Sequence, residues 1–431
     1  MELKQKLEEM TANAENLLKN GSIDEASEIY REIILKAGDD NCQVIILSLL
    51  RLGEIATDKG NIDMAIEYYK EVEERSLTES FTTGLLDAVS RRATLLMASG
   101  RWIESLKATQ QGLAQSKALD EAGFEMTFYG LLGQIERRLG NYDNAIAYAL
   151  NGLKLAQSAS DYDEELTFLS DLALISLAKN DFKEVVKQAE SGLRRAKETD
   201  RLARSVVFLG QKSQALLRSG KIDEACTIAK EGLEAALDHS TTKEVSTFYH
   251  DLAQIYLLKK DNSTALENAL KAFKGFSELS NKEGTLATLR TLNRALLLTD
   301  DLDGAFNGLV DALVLSMTMH EQLFFATFKD VTYFIAVLCE DKKYDAIESG
   351  IGIIKGFLDS VKKELEAEGS NVEGEKHYLS YVEQLFKACI YACNSKGDKE
   401  AGYAKDAFST AEKIDKEYGG DSKSLIELFY K

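Results

Sequence analysis

Between residues 120 and 160 the apolar positions fall twice into helical spacing. Phe124, Phe128, Leu131, Leu132, Ile135 and Leu139 mark one stripe, and Ala145, Ile146, Ala149, Leu150 and Leu153 mark a second. Gly140-Asn141 divides them, with glycine suited to the left-handed position just past a helix end. Asp143 opens the next helix, where its charge favours the dipole and the free N–H groups. The pattern predicts two antiparallel helices joined by a tight turn. The turn then recurs, starting at Gly21, Gly60, Gly100, Gly140, Asn180, Gly220, Lys260 and Asp300, with a first interval of 39 residues and 40 at every later step. A single-core enzyme has no reason for such a clock. A stack of like units does, because each unit buries its apolar face only against its neighbours.

Other positions recur in the same register. A small residue in the first helix lies twelve before one in the second: Ala14/Ala26, Gly53/Ala65, Ala93/Ser105, Gly133/Ala145, Ser213/Ala225 and Ala253/Ala265, with Ala173/Val185 and Asn293/Ala305 as looser versions. Small residues let crossing helices approach to the short end of their usual separation. Gly112, Gly152, Gly192 and Gly232 form a second series, each followed by Leu, and Ala272 and Ala312 continue it. A mid-helix glycine costs about 1 kcal/mol against alanine, so close packing must return that cost. Phe128, Phe168, Phe208 and Phe248 form a third series, read as core packing between units, with an aromatic ligand ladder as the alternative.

Gly-Asn-Tyr-Asp-Asn-Ala at 140–145 after Leu132-Gly133, Gly-Asn-Ile-Asp-Met-Ala at 60–65 and Gly-Lys-Ile-Asp-Glu-Ala at 220–225 resemble the tetratricopeptide repeat. The 40-residue period and the absence of proline depart from that family's usual form. Both departures fit longer helices, as in Pins/LGN adaptors, kinesin light chains and some bacterial peptide-sensing regulators. The resemblance implies an all-α, right-handed superhelical α-solenoid of antiparallel helix pairs. Eight repeats would fill residues 1–320, with degenerate repeats and C-terminal capping helices in 321–431. A ninth turn is expected at Tyr344-Asp345-Ala346, a tenth near Lys396 to Ala401, an exposed loop within Val361 to Gly374, and a last short helix at Ser422 to Tyr430.

Composition narrows the function. The net charge is −19, against a general grip on nucleic acid or anionic lipid. No apolar run reaches the ~20 residues that span a bilayer, and Met1 to Leu18 has no signal-peptide core. Five scattered cysteines, Cys42, Cys226, Cys339, Cys389 and Cys393, suit reduced thiols in a cytoplasm. His239, His250, His320 and His377 are dispersed, and Cys389/Cys393 stand one turn apart with no further ligand nearby. No phosphate loop or nucleophile elbow is present. No catalytic residue, metal or cofactor is expected.

By analogy with the family, inward positions on the first helix of each unit line the concave face. Here they include Gln134, Arg137, Arg138, Gln214, Arg218, His250, Gln254, Arg290 and Arg294, and the adjoining turn adds Arg51, Arg91 and Gln211. Only 15 of the 52 basic residues are Arg, yet many of them fall on these helices. Arg binds carboxylates bidentately and Gln bonds peptide backbone, which predicts an acidic, extended or helical partner segment. Met97, Leu174, Leu257 and Leu297 are expected to add apolar anchors. The family's clamp for chaperone tails needs Lys and Asn where this chain has Ser90/Thr94, Gly130/Gln134 and Ser170/Leu174, which argues against that ligand. The expected role is a non-enzymatic protein-interaction scaffold. The alternatives are a peptide-sensing regulator whose superhelix changes pitch, and self-association through the end caps.

Overall fold

The computed structural model describes residues 2–38, 41–239 and 241–317, residue 319, scattered positions from 327 to 398, and 402–418. The motif expected at 422–430 lies outside the described residues, as do those at 344–346 and 396–401 except for Ala346 and Asp398, and most of 361–374. Sixteen α-helices follow one another from Glu2 to Met317, and a further helix spans Gly402–Tyr418. No strand occurs among the described residues. The chain divides into two compact units, Met1–Ala215 and Leu216–Lys431.

Within Met1–Ala215 the helices are α1 (Glu2–Lys19), α2 (Ile23–Ala37), α3 (Cys42–Asp58), α4 (Ile62–Thr78), α5 (Thr82–Ala98), α6 (Trp102–Ala118), α7 (Ala122–Arg138), α8 (Tyr142–Ala159), α9 (Tyr162–Ala178) and α10 (Phe182–Glu198). Helix α11 (Leu202–Arg218) carries the boundary. In Leu216–Lys431 follow α12 (Ile222–His239), α13 (Thr242–Leu258), α14 (Asn262–Glu278), α15 (Lys282–Leu298) and α16 (Leu302–Met317).

All eight expected turns are left-handed, with φ from 58° at Asn180 to 81° at Gly21, Gly140 and Gly220. The turn closes by the Schellman pattern: Asn141 N–H donates to Glu136 C=O at 2.8 Å, and Gly140 N–H to Arg137 C=O at 3.2 Å. A second left-handed series sits midway, at Ser80, Asp120, Ser160, Asp200 and Ser280. A left-handed residue about every twenty positions stops most of the described helices without proline. Lysine at Lys260, φ 61°, bears the steric cost of that conformation. Lys260→Gly should therefore raise stability by about 0.5–1 kcal/mol, read as a higher urea midpoint.

Asp143 does not cap its helix; the N-cap Asn141 makes no capping bond, and its Nδ2 donates to Glu136 Oε2 at 2.7 Å. Asp143 instead lies 3.7 Å from Lys179 of the next unit. Asp24 with Lys59, and Asp223 with Lys259, repeat this link. At such exposure water and salt screen each link, and it contributes little to stability.

Odd helices are sandwiched and bury a broad face: α7 buries Met126, Phe128, Tyr129, Leu131, Leu132, Gly133, Ile135 and Glu136. Even helices bury a narrow seam of small residues, in α8 Ala145, Ala149, Gly152 and Ala156. From α1 to α10 in Met1–Ala215, and from α12 to α16 in Leu216–Lys431, each helix packs on the next, and odd ones also meet one another, α3 with α5, α5 with α7, α7 with α9 and α13 with α15. The odd helices thus form the inner layer of their unit.

The three residue series acquire physical meaning. The twelve-residue pairs are helix crossings: buried Ser105 Oγ donates to Ala93 C=O at 2.7 Å. Phe128, Phe168, Phe208 and Phe248 are core residues, each at most 2% exposed. Each lies on a glycine of the preceding helix. A Cβ on Gly112, Gly152, Gly192 or Gly232 would meet the facing ring at 2.4, 2.1, 2.2 and 2.2 Å respectively.

Candidate functional site

Two places on the inner layer of Met1–Ala215 gather charged side chains. The first is a cavity of about 290 Å³ among α1, α3 and α5, with Tyr30 of α2 at its wall. A continuous network crosses it. Tyr30 Oη and Arg51 Nε both donate to Glu15 Oε1 at 2.8 Å. Arg51 Nη1 donates to Glu54 Oε2 at 2.7 Å, and Arg91 Nη1 lies 2.9 Å from Glu54 Oε1. Arg91 Nε reaches both oxygens of Asp87 at 2.9 Å. The bond to Glu54 is the main cause that raises the Arg51 pKa. Burial works against the charge on Arg91, but Asp87 and Glu54 outweigh it and its pKa is raised too. Burial, then the bond to Glu15, pushes the Tyr30 hydroxyl up, so it stays protonated. Arg51 and Arg91 do converge, but on their own chain's carboxylates. Glu15, Glu54 and Asp87 outnumber them, three to two.

The second place lies where α7 meets α9. Arg137 is half-buried, and burial, then neighbouring Arg138, lowers its pKa, while Asp171 favours its charge. Among the described residues neither Arg137 nor Arg138 makes an ion pair or side-chain hydrogen bond, and Arg138 is exposed. Asp171 is mostly buried, and burial pushes its pKa up to about 7 although Arg137 opposes the rise; Glu164 adds to it. Desolvation thus outweighs attraction, as expected for a cation nearby but out of contact. A carboxyl raised in this way costs stability as pH climbs from its unfolded value near 3.8 through about 7. Asp171→Asn should therefore leave stability unchanged at pH 4 and raise it by on the order of 2–4 kcal/mol above pH 8, measured by urea unfolding.

The other expected positions separate. Gln134 and Gln214 are partly exposed, with side chains that make no hydrogen bond among the described residues, while Gln211 Nε2 is tied to Ser170 Oγ at 2.7 Å. Arg218 is exposed. In Leu216–Lys431, His250 is mostly buried, and burial pulls its pKa down to about 4. Its Nε2 lies 2.9 Å from Thr291 Oγ1 and 3.3 Å from Gln254 Nε2. Arg290 and Arg294 both bind Asp330, which is 1% exposed, and Arg294 also lies over the Tyr333 ring at 5.1 Å. Leu297 belongs to the core at 4% exposure, whereas Met97, Leu174 and Leu257 are partly exposed.

Sequence reasoning missed Glu15, Tyr30, Asp87, Asp171 and Asp330. Three of them stand in the repeat register: Asp171 with Arg51, Arg91 and Gln211, Asp330 with His250 and Arg290, and Glu15 just after the small residue Ala14, as Gln134 follows Gly133. Among the described residues no group of three or more His, Cys, Asp or Glu is placed to hold a metal, and no helix is long and apolar enough to cross a membrane.

Residues 47–78 and 127–158 match the family model described as Tetratricopeptide repeat. Those segments are most of α3 with α4, and most of α7 with α8. The search of curated proteins finds no match. Among solved structures, a tetratricopeptide repeat protein from Parabacteroides merdae is 17% identical, with TM-score 0.49, 66% of this chain and 99% of that chain covered. The Rap conjugation gene regulator of the plasmid pLS20, in complex with the Phr* peptide, is 15% identical, with TM-score 0.46 and coverage of 87% and 98%. Repeats of a putative kinesin light chain from Podosopora anserina are 15% identical, with TM-score 0.36 and coverage of 48% and 97%. Identities and scores this low carry no function across. The protein is an all-helical repeat protein, two segments of which match the tetratricopeptide repeat.

Proposed function

We propose that the inner layer of Met1–Ala215 is a docking surface for an acidic, extended or helical segment of a partner protein. The chain acts as a non-catalytic interaction scaffold, and its scattered cysteines support a cytoplasmic location. One observation carries the reading. Arg137 and Arg138 stand on an inner-layer helix with no carboxylate in ion-pair contact among the described residues, in a chain whose net charge is −19. A half-buried guanidinium with no carboxylate in contact gains most from an incoming one. Gln134, three residues earlier on the same helix, is free to bond the segment's backbone. Arg51, Arg91, Arg290 and Arg294 are already spent on internal carboxylates and contribute little.

The magnitude is modest. Two charge-assisted bonds at ~1.5–3 kcal/mol fall short of the ~8 kcal/mol of a micromolar complex, so Met97 and Leu174 must supply apolar contact. Fluorescence anisotropy with labelled acidic peptides tests the reading. Arg137→Glu or Arg138→Glu should weaken binding about tenfold or more, and affinity should fall as salt rises. Affinity indifferent to both changes would remove the electrostatic basis.

A further inference from the structure

The cavity among α1, α3 and α5 is charged the other way from Arg137 and Arg138. Its lining holds three carboxylates, Glu15, Glu54 and Asp87, and two guanidiniums, Arg51 and Arg91, which leaves one negative charge over. Both Glu54 oxygens are occupied by the arginines, and among the described residues Glu15 accepts through Oε1 alone. Glu15 Oε2 and the outer lone pairs of Asp87 therefore remain as acceptors. Leu47, half-exposed at 50%, and Leu50 give the same cavity an apolar side. Its volume, about 290 Å³, is near the lower end of ligand pockets. A long aliphatic stem ending in one positive charge matches both the surplus charge and the apolar wall.

We infer that this cavity is a lysine subsite, which takes one basic side chain of the same partner segment whose carboxylates meet Arg137 and Arg138. The inference rests on the proposed docking role and gives it direction. The partner is bipolar: its lysine lies over α3 and α5, and its acidic residues lie over α7 and α9. Successive odd helices are in contact, so two spacings of roughly 10 Å separate the stations. An extended chain covers that distance in about six residues at ~3.3 Å each. A helical segment would need more than a dozen residues at 1.5 Å each.

The test uses the full chain and labelled peptides carrying two glutamates with a lysine six residues away, in both orders. Companion peptides carry norleucine in place of the lysine. On the wild type one order of the lysine peptide should bind about tenfold more tightly than its norleucine companion, the scale of one partly desolvated charge pair. The preference should vanish in Asp87→Asn, which cancels the surplus charge. It should also vanish in Leu47→Lys, a change at an exposed position that puts the chain's own ammonium at the mouth. Sensitivity to Arg137→Glu should persist in both variants. Equal binding of lysine and norleucine peptides, still sensitive to Arg137→Glu, overturns the lysine subsite and leaves the docking role standing. No binding of any acidic peptide overturns both.

Discussion

Gly152→Ala should destabilise the protein by about 1–3 kcal/mol, although alanine is the better helix former by about 1 kcal/mol. The added methyl would lie 2.1 Å from Cζ of Phe168 and 2.2 Å from Cε1, well inside the ~3.5–4.0 Å of carbon–carbon contact. The ring is 1% exposed, so it cannot swing into solvent. The clash must be relieved by parting α8 from α9, which strips contacts from the seam between two units. Shortening the facing side chain should undo this: Phe168→Leu is costly alone, yet with Gly152→Ala the pair should lose less than the sum of the two changes. A urea titration followed by circular dichroism reads all three variants, and simple additivity would refute the packing account. Gly133 is the contrast. A methyl there meets nothing closer than the Ala145 carbonyl at 3.6 Å, so Gly133→Ala should be neutral or gain up to ~1 kcal/mol.

The second large effect concerns Asp330. Replacing Arg290 and Arg294 together by Met should cost about 3–5 kcal/mol, because it leaves a carboxylate only 1% exposed without its cations. Adding Asp330→Leu should recover most of that loss, since an apolar side chain asks for no partner. Thermal unfolding reads both steps. The same variants should leave acidic-peptide affinity at Arg137 unchanged. A parallel loss of affinity with intact stability would make the two arginines ligand readers instead of a clamp.

The fold was legible because its punctuation is written in residue types with a physical bias. Glycine marks five of the eight left-handed turns at 40-residue spacing, and the steady period located Asn180, Lys260 and Asp300 without it. The intervening turns at Ser80, Asp120, Ser160, Asp200 and Ser280 carry no glycine to announce their backbone. The site was legible only in part. The register placed Arg51 and Arg91 on the inner layer, but their neutralisation depends on Glu15, 36 residues before Arg51, and on Glu54 shared between two helices. Charge spacing along a chain does not report such sharing. Asp171 stayed hidden for another reason: its raised pKa comes from burial, which composition cannot supply.

The glycine–phenylalanine seams also bear on interchangeability. Where the glycine register holds Val72, the residue sixteen positions on is Ala88, and where it holds Ala272, that residue is Thr288. Bulk on one side of a junction is matched by lack of bulk on the other, so each junction has its own tooth and notch. A chimera that set the valine seam of α4 against the phenylalanine face of α7 would jam, and the glycine seam of α6 against the alanine face of α5 would leave a hollow. Lengthening or shortening this array by whole units is thus permitted only at cuts that keep each tooth with its notch.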